Sequence, residues 1–238
     1  NGQAVMGFEN HETLTDLPPE IMGADFGNSG ADRLLVFDLS VGDAEHDAAI
    51  GILKKIADQA EVPVICAGNI RRIEDVKKIL YAGAKRALLN FSKRVSIDLI
   101  EEVSKRFGKE RIAVSLNDFD ALFKQQHLIE EYSTEIVFMH RLDLNSVMNV
   151  TELPCVVLTD TMEQSEILRI LKCDGVKGVS GMFISRPEMD FSAFKEICAK
   201  EGIQMTSFES LMDFSEFKLN SDGLIPVIVQ DYKTNEVL

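Results

Sequence analysis

The residues best placed to do chemistry lie where two apolar runs break off. Val62-Pro63-Val64-Ile65-Cys66 gives way to Ala67-Gly68-Asn69-Ile70, and Ala87-Leu88-Leu89 gives way to Asn90-Phe91-Ser92. Gly68 allows close backbone approach to an anion, and the helix expected after it opens with N–H groups that lack intrahelical partners. Half of an anion-binding site at these turns is therefore the first expectation. Plainer roles stand beside it: Gly68 as a turn former, Asn90 as a helix N-cap or turn residue. Asp38, which ends a third apolar run, reads as a structural hydrogen-bonding carboxylate or, less simply, as a catalytic acid. Residues 71–94 hold eight basic side chains against two acidic ones. Most such runs are solvated faces. Arg71, Arg72, Lys93 and Arg94 follow the expected strand ends and could meet an anion, whereas Lys85 and Arg86 lead into a strand and belong to the opposite rim.

These turns need a parallel α/β framework to bring them together. Arg33 to Leu39 is a near-continuous apolar run, as expected of a strand buried on both faces. Helical spacing follows in Ile50, Leu53, Ile56 and Ala57. The alternation repeats: strand 62–66 with a helix through Ile73, Val76, Ile79 and Leu80 closed at Gly83, then strand 86–90 with a helix through Leu99, Ile100, Val103 and Phe107 closed at Gly108. Strand 111–117 leads to a helix holding Leu122, Phe123 and Ile129. Strand 134–139 has only a short helical piece near Leu144 to Val150. Strand 154–158 precedes Ile167, Leu168 and Leu171, and strand 175–180 precedes a helix from about Pro187 to Lys200 with Phe194 and Ile197 inward. Seven strands with repeated helical crossovers predict a (β/α)8 barrel that lacks a normal first strand, with residues 3–8 as the remnant of that region. Expected boundaries are a barrel over 1–203, a linker over 204–218 and a separate piece over 219–238. That last piece reads as a turn at Asn220–Gly223, a strand over Leu224–Asp231, a turn near Lys233-Thr234-Asn235 and a second, interrupted strand, so the C-terminus looks cut.

Composition narrows the function classes. A net charge of −14 weighs against nucleic acid or an anionic membrane as partner. No apolar run reaches the ~18 residues of a membrane span, and no signal-peptide pattern is visible, so a cytoplasmic protein is expected. The four cysteines (Cys66, Cys155, Cys173, Cys198) and four histidines (His11, His46, His127, His140) form no metal-ligand spacing, and neither metal, cofactor nor disulfide is expected.

Gly30-Ala31-Asp32 through Leu39, Val62 to Ile70, Ile73-Glu74-Asp75 with Ala82-Gly83-Ala84, and Asn90 resemble the histidine-biosynthesis barrels. These are the cyclase subunit of imidazole glycerol phosphate synthase and the ribotide isomerase that precedes it. The likeness is good over residues 30–117 and patchy over 134–200, and Asn1 to Gly7 resembles the segment after the family's first strand. The resemblance implies a phosphorylated ribotide as ligand. Its phosphate residues would be Gly68, Asn69, Ile70, Asn90 and Ser92 on one side and Ser180 and Gly181 on the other, where Thr159-Asp160 replaces the family's Gly-Gly turn. It also implies two catalytic aspartates, on the first and fifth barrel strands. The first would lie before Asn1, and the second position is Asn117, whose amide exchanges no proton near neutral pH. The ancestral catalysis is therefore expected to be absent, with no catalytic residue assigned. Asp38, Asp118 and Asp143 are the acids that a displaced mechanism could use. The tail, Leu219 through Asp231 and Glu236-Val237-Leu238, resembles the opening of phosphoribosyl-AMP cyclohydrolase, an enzyme often fused to phosphoribosyl-ATP pyrophosphatase. The expected partners are thus a phosphorylated ribotide or phosphate and downstream hydrolase domains of the same polypeptide, which the barrel would serve as a docking or ribotide-binding module.

Overall fold

The structure, a computed structural model, describes residues 2–6, 12–13, 15–140, 151–186, 188–206, 214–231 and 236–237. Two compact units divide the chain, 1–205 and 206–238. In the first, β1 (Val5–Met6) and β2 (Glu12–Thr13) pair antiparallel with each other. Val5–Met6, the paired part of the expected remnant of a first barrel strand, thus lies outside the main sheet.

The main sheet follows the predicted alternation. Its elements are α1 (Pro19–Asn28), β3 (Leu34–Phe37), α2 (Asp43–Gln59), β4 (Val64–Ala67), α3 (Ile73–Tyr81), β5 (Arg86–Asn90), α4 (Arg94–Phe107), β6 (Ile112–Leu116), α5 (Phe119–Tyr132), β7 (Ile136–Phe138), β8 (Cys155–Thr159), α6 (Gln164–Leu171), β9 (Val176–Gly181) and α7 (Phe191–Lys200). The seven strands β3 to β9 lie side by side in chain order, and every neighbouring pair is parallel. This is the curled wall of a (β/α) barrel with β3 and β9 at its edges.

Period-two alternation sorts each strand between two cores. Val64, Cys66, Leu89, Val114, Ile136 and Val157 join the helices outside. Ile65, Ala67, Leu88, Ala113, Val137, Val156 and Leu158 gather inside, with Leu35, Phe37 and Met139 against them. Each fully buried aliphatic side chain is worth roughly 1.5–3 kcal/mol. A further outer cluster of Ile167, Phe183, Phe191, Phe194 and Cys198 ties β9, α6 and α7 together. It also reaches α1: the Phe26 and Phe191 rings meet edge-on at 6.2 Å, and Lys195 pairs with Asp32 at 2.7 Å. The first and last helices of the wall are thereby joined. On α5, Leu122 and Ile129 are buried while Phe123, one residue round the helix, is exposed.

At the N-terminal rim Arg33, Arg86 and Glu135 stand two residues before inward-facing Leu35, Leu88 and Val137. Glu135 is 3% exposed and pairs with Arg33 and, at 3.8 Å, with Arg86. Arg86 does lie on the rim opposite the turns.

In the second unit Asn220 forms the expected turn, its side-chain oxygen accepting from Asp222 N at 3.0 Å and Leu224 N at 2.8 Å. The expected strand over 224–231 is corrected. Pro226 donates no N–H, Val227 and Ile228 are exposed, and among the described residues of this unit strand pairing is confined to one antiparallel bridge, Gln230 with Val237. The helical piece at 144–150, Asp143, Pro187 and the turn at 233–235 lie outside the described residues.

Candidate anion half-site at the C-terminal rim

The turns after β4 and β5 come from adjacent strands, with Ala67 paired to Leu88, so the wall places them side by side as expected. Gly68 has φ +101°, and a Cβ there would sit 2.1 Å from the Asp38 carbonyl oxygen. Only glycine fits so tight a packing of one strand end on the next. Asn69 follows at φ +51°, a conformation asparagine tolerates better than most residues. Among the described residues the N–H groups of Asn69 and Ile70 have no hydrogen-bond partner. The Ile70 side chain is in the core, so only its backbone can meet a ligand.

The Asn69 side chain turns toward the loop after β3. Its amide donates to Asp38 Oδ2 (3.1 Å), the Ser40 carbonyl (2.9 Å) and Ser40 Oγ (3.0 Å). Asp38 also accepts from Ser40 N at 2.9 Å and lies 2.6 Å from His46 Nδ1. Burial pushes the Asp38 carboxyl up, but the hydrogen bonds from Ser40, His46 and Asn69 outweigh it and hold the group below the usual carboxylate range. Beneath it, burial and the Asp38 charge push the Cys66 thiol up to about 12, which leaves it an unreactive small hydrophobe.

The helix openings behave differently from the expectation. Ahead of α3, the Asp75 carboxylate accepts from Arg71 N at 3.0 Å and Arg72 N at 3.1 Å, so the chain's own anion occupies those donors. At β5 the Asn90 side-chain oxygen accepts from Ser92 N at 2.9 Å, the turn-forming role. Ser92 is exposed. Of the rim cations, Arg71 reaches Asp43 at 3.9 Å, Arg72 pairs with Asp75 at 3.3 Å and Arg94 with Asp98 at 2.9 Å. Lys93 has no ion-pair partner among the described residues.

The second group stands at the end of β9. Gly181 repeats the Gly68 packing, with φ +117° and a would-be Cβ 1.9 Å from the Thr159 carbonyl oxygen. Ser180 is half-buried, and Asp160 is exposed just past the end of β8. Strand order separates this pair from the β4–β5 turns by the breadth of the wall. Asn117 is exposed just past β6, and the Asp118 carboxylate accepts from Ala121 N at 2.8 Å as the N-cap of α5.

Sequence reasoning passed over His46, Ser40 and Asp75. His46 carried a signal: with Ile50, Leu53 and Ala57 it falls at helical spacing on the inward face of α2, an unusual place for a polar ring.

With this geometry in view, residues 1–176 match the model of a family described as histidine biosynthesis protein. The chain belongs to that family. Its relatives include the HisF subunits of imidazole glycerol phosphate synthase. That of Buchnera aphidicola (Acyrthosiphon pisum symbiont) is 25% identical over 138 residues, covering 57% of this chain and 53% of the relative. The Lachnoclostridium phytofermentans subunit is 31% identical over 118 residues, covering 49% and 45%. The Corynebacterium diphtheriae subunit is 32% identical over 118 residues, again 49% and 45%. The chain spans about half the length of the curated relatives it matches.

Proposed function

We propose that this chain is the N-terminal barrel of a histidine-biosynthesis polypeptide, and that it binds a phosphorylated ribotide without turning it over. The observation that carries the non-catalytic part is the pair at the end of β6. The position that resembles the family's general acid or base holds the Asn117 amide, and the neighbouring Asp118 is engaged in capping α5. The binding part draws support from the N–H groups of Asn69 and Ile70 and the Lys93 cation, all without partners among the described residues, together with the Ser92 hydroxyl. A phosphoryl group accepts hydrogen bonds from such donors and gains from a nearby positive charge. Ser180 and Gly181 would complete the opposite end, with Asp160 opposing a second phosphate there.

The wider assignment is a cytoplasmic polypeptide of the phosphoribosyl-AMP cyclohydrolase and phosphoribosyl-ATP pyrophosphatase type, with this barrel as its docking or ribotide-binding part. It rests on the likeness of 219–238 to the opening of the cyclohydrolase. The gene downstream of Leu238 should then encode that enzyme's Cys- and Asp-bearing motifs, and a frame without them removes the fusion.

A second reading is turnover of a ribotide as an isomerase or cyclase with displaced acids, in line with the imidazole glycerol phosphate synthase named for the HisF relatives. It is favoured by Asp38, a carboxylate held ionised beside an imidazole at the same rim. Calorimetric titration of the full-length protein with ribose 5-phosphate, together with isomerase and cyclase assays, separates the two. Binding without turnover is expected; turnover establishes the second reading, and absence of binding defeats the first.

A further inference from the structure

The turn that offers Asn69 and Ile70 N–H groups is not held by its own residues. Gly68 rests on the Asp38 carbonyl, and the Asn69 amide is hooked to the Asp38 carboxylate and to Ser40, so the turn's shape depends on where Asp38 sits. Asp38 lies in the loop after β3, which has no regular structure before α2 begins at Asp43. What fixes its carboxylate from outside the ring is His46. The imidazole is 6% exposed and its Nδ1 is 2.6 Å from Asp38 Oδ2. Nε2 is buried with no hydrogen-bond partner among the described residues. A ring buried with one nitrogen unsatisfied is unfavourable by itself, so its single polar contact has to justify the position.

We propose that His46 is the positioning residue of the phosphate half-site: acting through Asp38, it holds the Gly68–Ile70 turn in the form that presents its N–H groups. The path is His46 Nδ1 to Asp38 Oδ2, Asp38 Oδ2 to Asn69 Nδ2, and Asn69 to a backbone already at positive φ. His46 touches no ligand itself. It places α2 behind a loop that is otherwise tied to the end of β4 and to the Asn69 amide, which is how a supporting residue pre-organises binding groups. The inference rests on the reading that this turn binds phosphate, and it adds the residue that shapes it.

The test uses the full chain and three variants. Asparagine carries an N–H near the place of Nδ1, whereas leucine fills the space without a donor. His46→Leu should weaken ribose 5-phosphate about tenfold or more, and His46→Asn should return it to within about threefold of the parent. In His46→Leu, hydrogen exchange at the Asn69 and Ile70 amides should accelerate by about the same factor while β6 amides stay unchanged. A merely structural histidine lowers stability without separating Leu from Asn in affinity or confining the exchange change to this turn. A folded His46→Leu with parental affinity and parental exchange overturns the proposal. Should His46→Leu fail to fold, Asn69→Gly decides: it keeps the positive φ but cuts the link, so parental affinity and exchange overturn the proposal and a similar loss supports it. If the parent protein itself binds no ribose 5-phosphate, the binding reading fails, and the exchange data alone still decide whether His46 shapes the turn.

Discussion

Replacing Gly68 by alanine tests the close packing of β4 on the Asp38 loop, and Gly42 provides the control. Both residues lie at positive φ, +101° and +96°. A Cβ on Gly42 would meet nothing within 4 Å, whereas on Gly68 it would stand 2.1 Å from the Asp38 carbonyl oxygen and 2.9 Å from that residue's carbonyl carbon and nitrogen. Gly42→Ala therefore suffers only the backbone strain, about 1–2 kcal/mol for a side chain forced into such a conformation. Gly68→Ala suffers the same strain and must also push backbone aside by about 1 Å, and overpacking of that kind typically adds about 1–3 kcal/mol. Urea unfolding should place Gly42→Ala about 1–2 kcal/mol and Gly68→Ala about 3–4 kcal/mol below the parent, with similar m-values. Equal losses in the two variants would show that the Gly68 approach is not what holds the turn against β3, and the account of the half-site would have to be rebuilt.

At the other rim, Glu135→Leu leaves Arg33 and Arg86 facing the barrel interior without their counter-charge. It should cost about 2–3 kcal/mol in a denaturant melt, below the usual figure for breaking a buried pair because both arginines keep some water contact; adding Arg33→Met should recover part of the loss. Asp38 has a folded-state pKa below its ordinary value of 3.8. Its stabilisation is complete at pH 5 and is lost as the pH falls below about 4, so the stability gap between the parent and Asp38→Asn should shrink over that interval in thermal melts. Thiol labelling of the native protein at neutral pH should reach the half-buried Cys173 first and leave Cys66 unmodified until unfolding; rapid labelling of Cys66 would contradict its burial.

The wall was legible because its strands are apolar on both faces and its helices carry regular stripes, and both patterns come from burial, which composition reports directly. Gly68 was legible for the same kind of reason, since a glycine closing an apolar run has few other uses. The rest of the half-site was not, because side-chain polar networks leave no periodic trace. Nothing in Asn69 as a letter says that its amide binds Asp38 and Ser40 rather than a ligand, and nothing in Asp75 says that it shields the donors of Arg71 and Arg72. Asn90 was read both as ligand and as turn residue, and its oxygen serves the turn. In the tail, the apolar run from Leu224 to Val229 reads as a strand, yet among the described residues bridge pairing there is confined to Gln230 with Val237.

The order of the strands has a consequence for how the molecule is put together. Each strand pairs only with its neighbours in the chain, so the wall resembles a one-dimensional array in which stability is passed from one unit to the next. The middle of that array, β5 to β7, is supported from both sides, while β3 and β9 are each supported from one. The Phe26–Phe191 contact and the Asp32–Lys195 pair join its two ends and turn the array into a loop of mutual support. A change in this clasp should reach the turn after β4 through only one intervening strand, while leaving the centre of the wall untouched. The clasp and the half-site then share one mechanical neighbourhood, although nearly the whole length of the barrel chain separates Lys195 from Asp32.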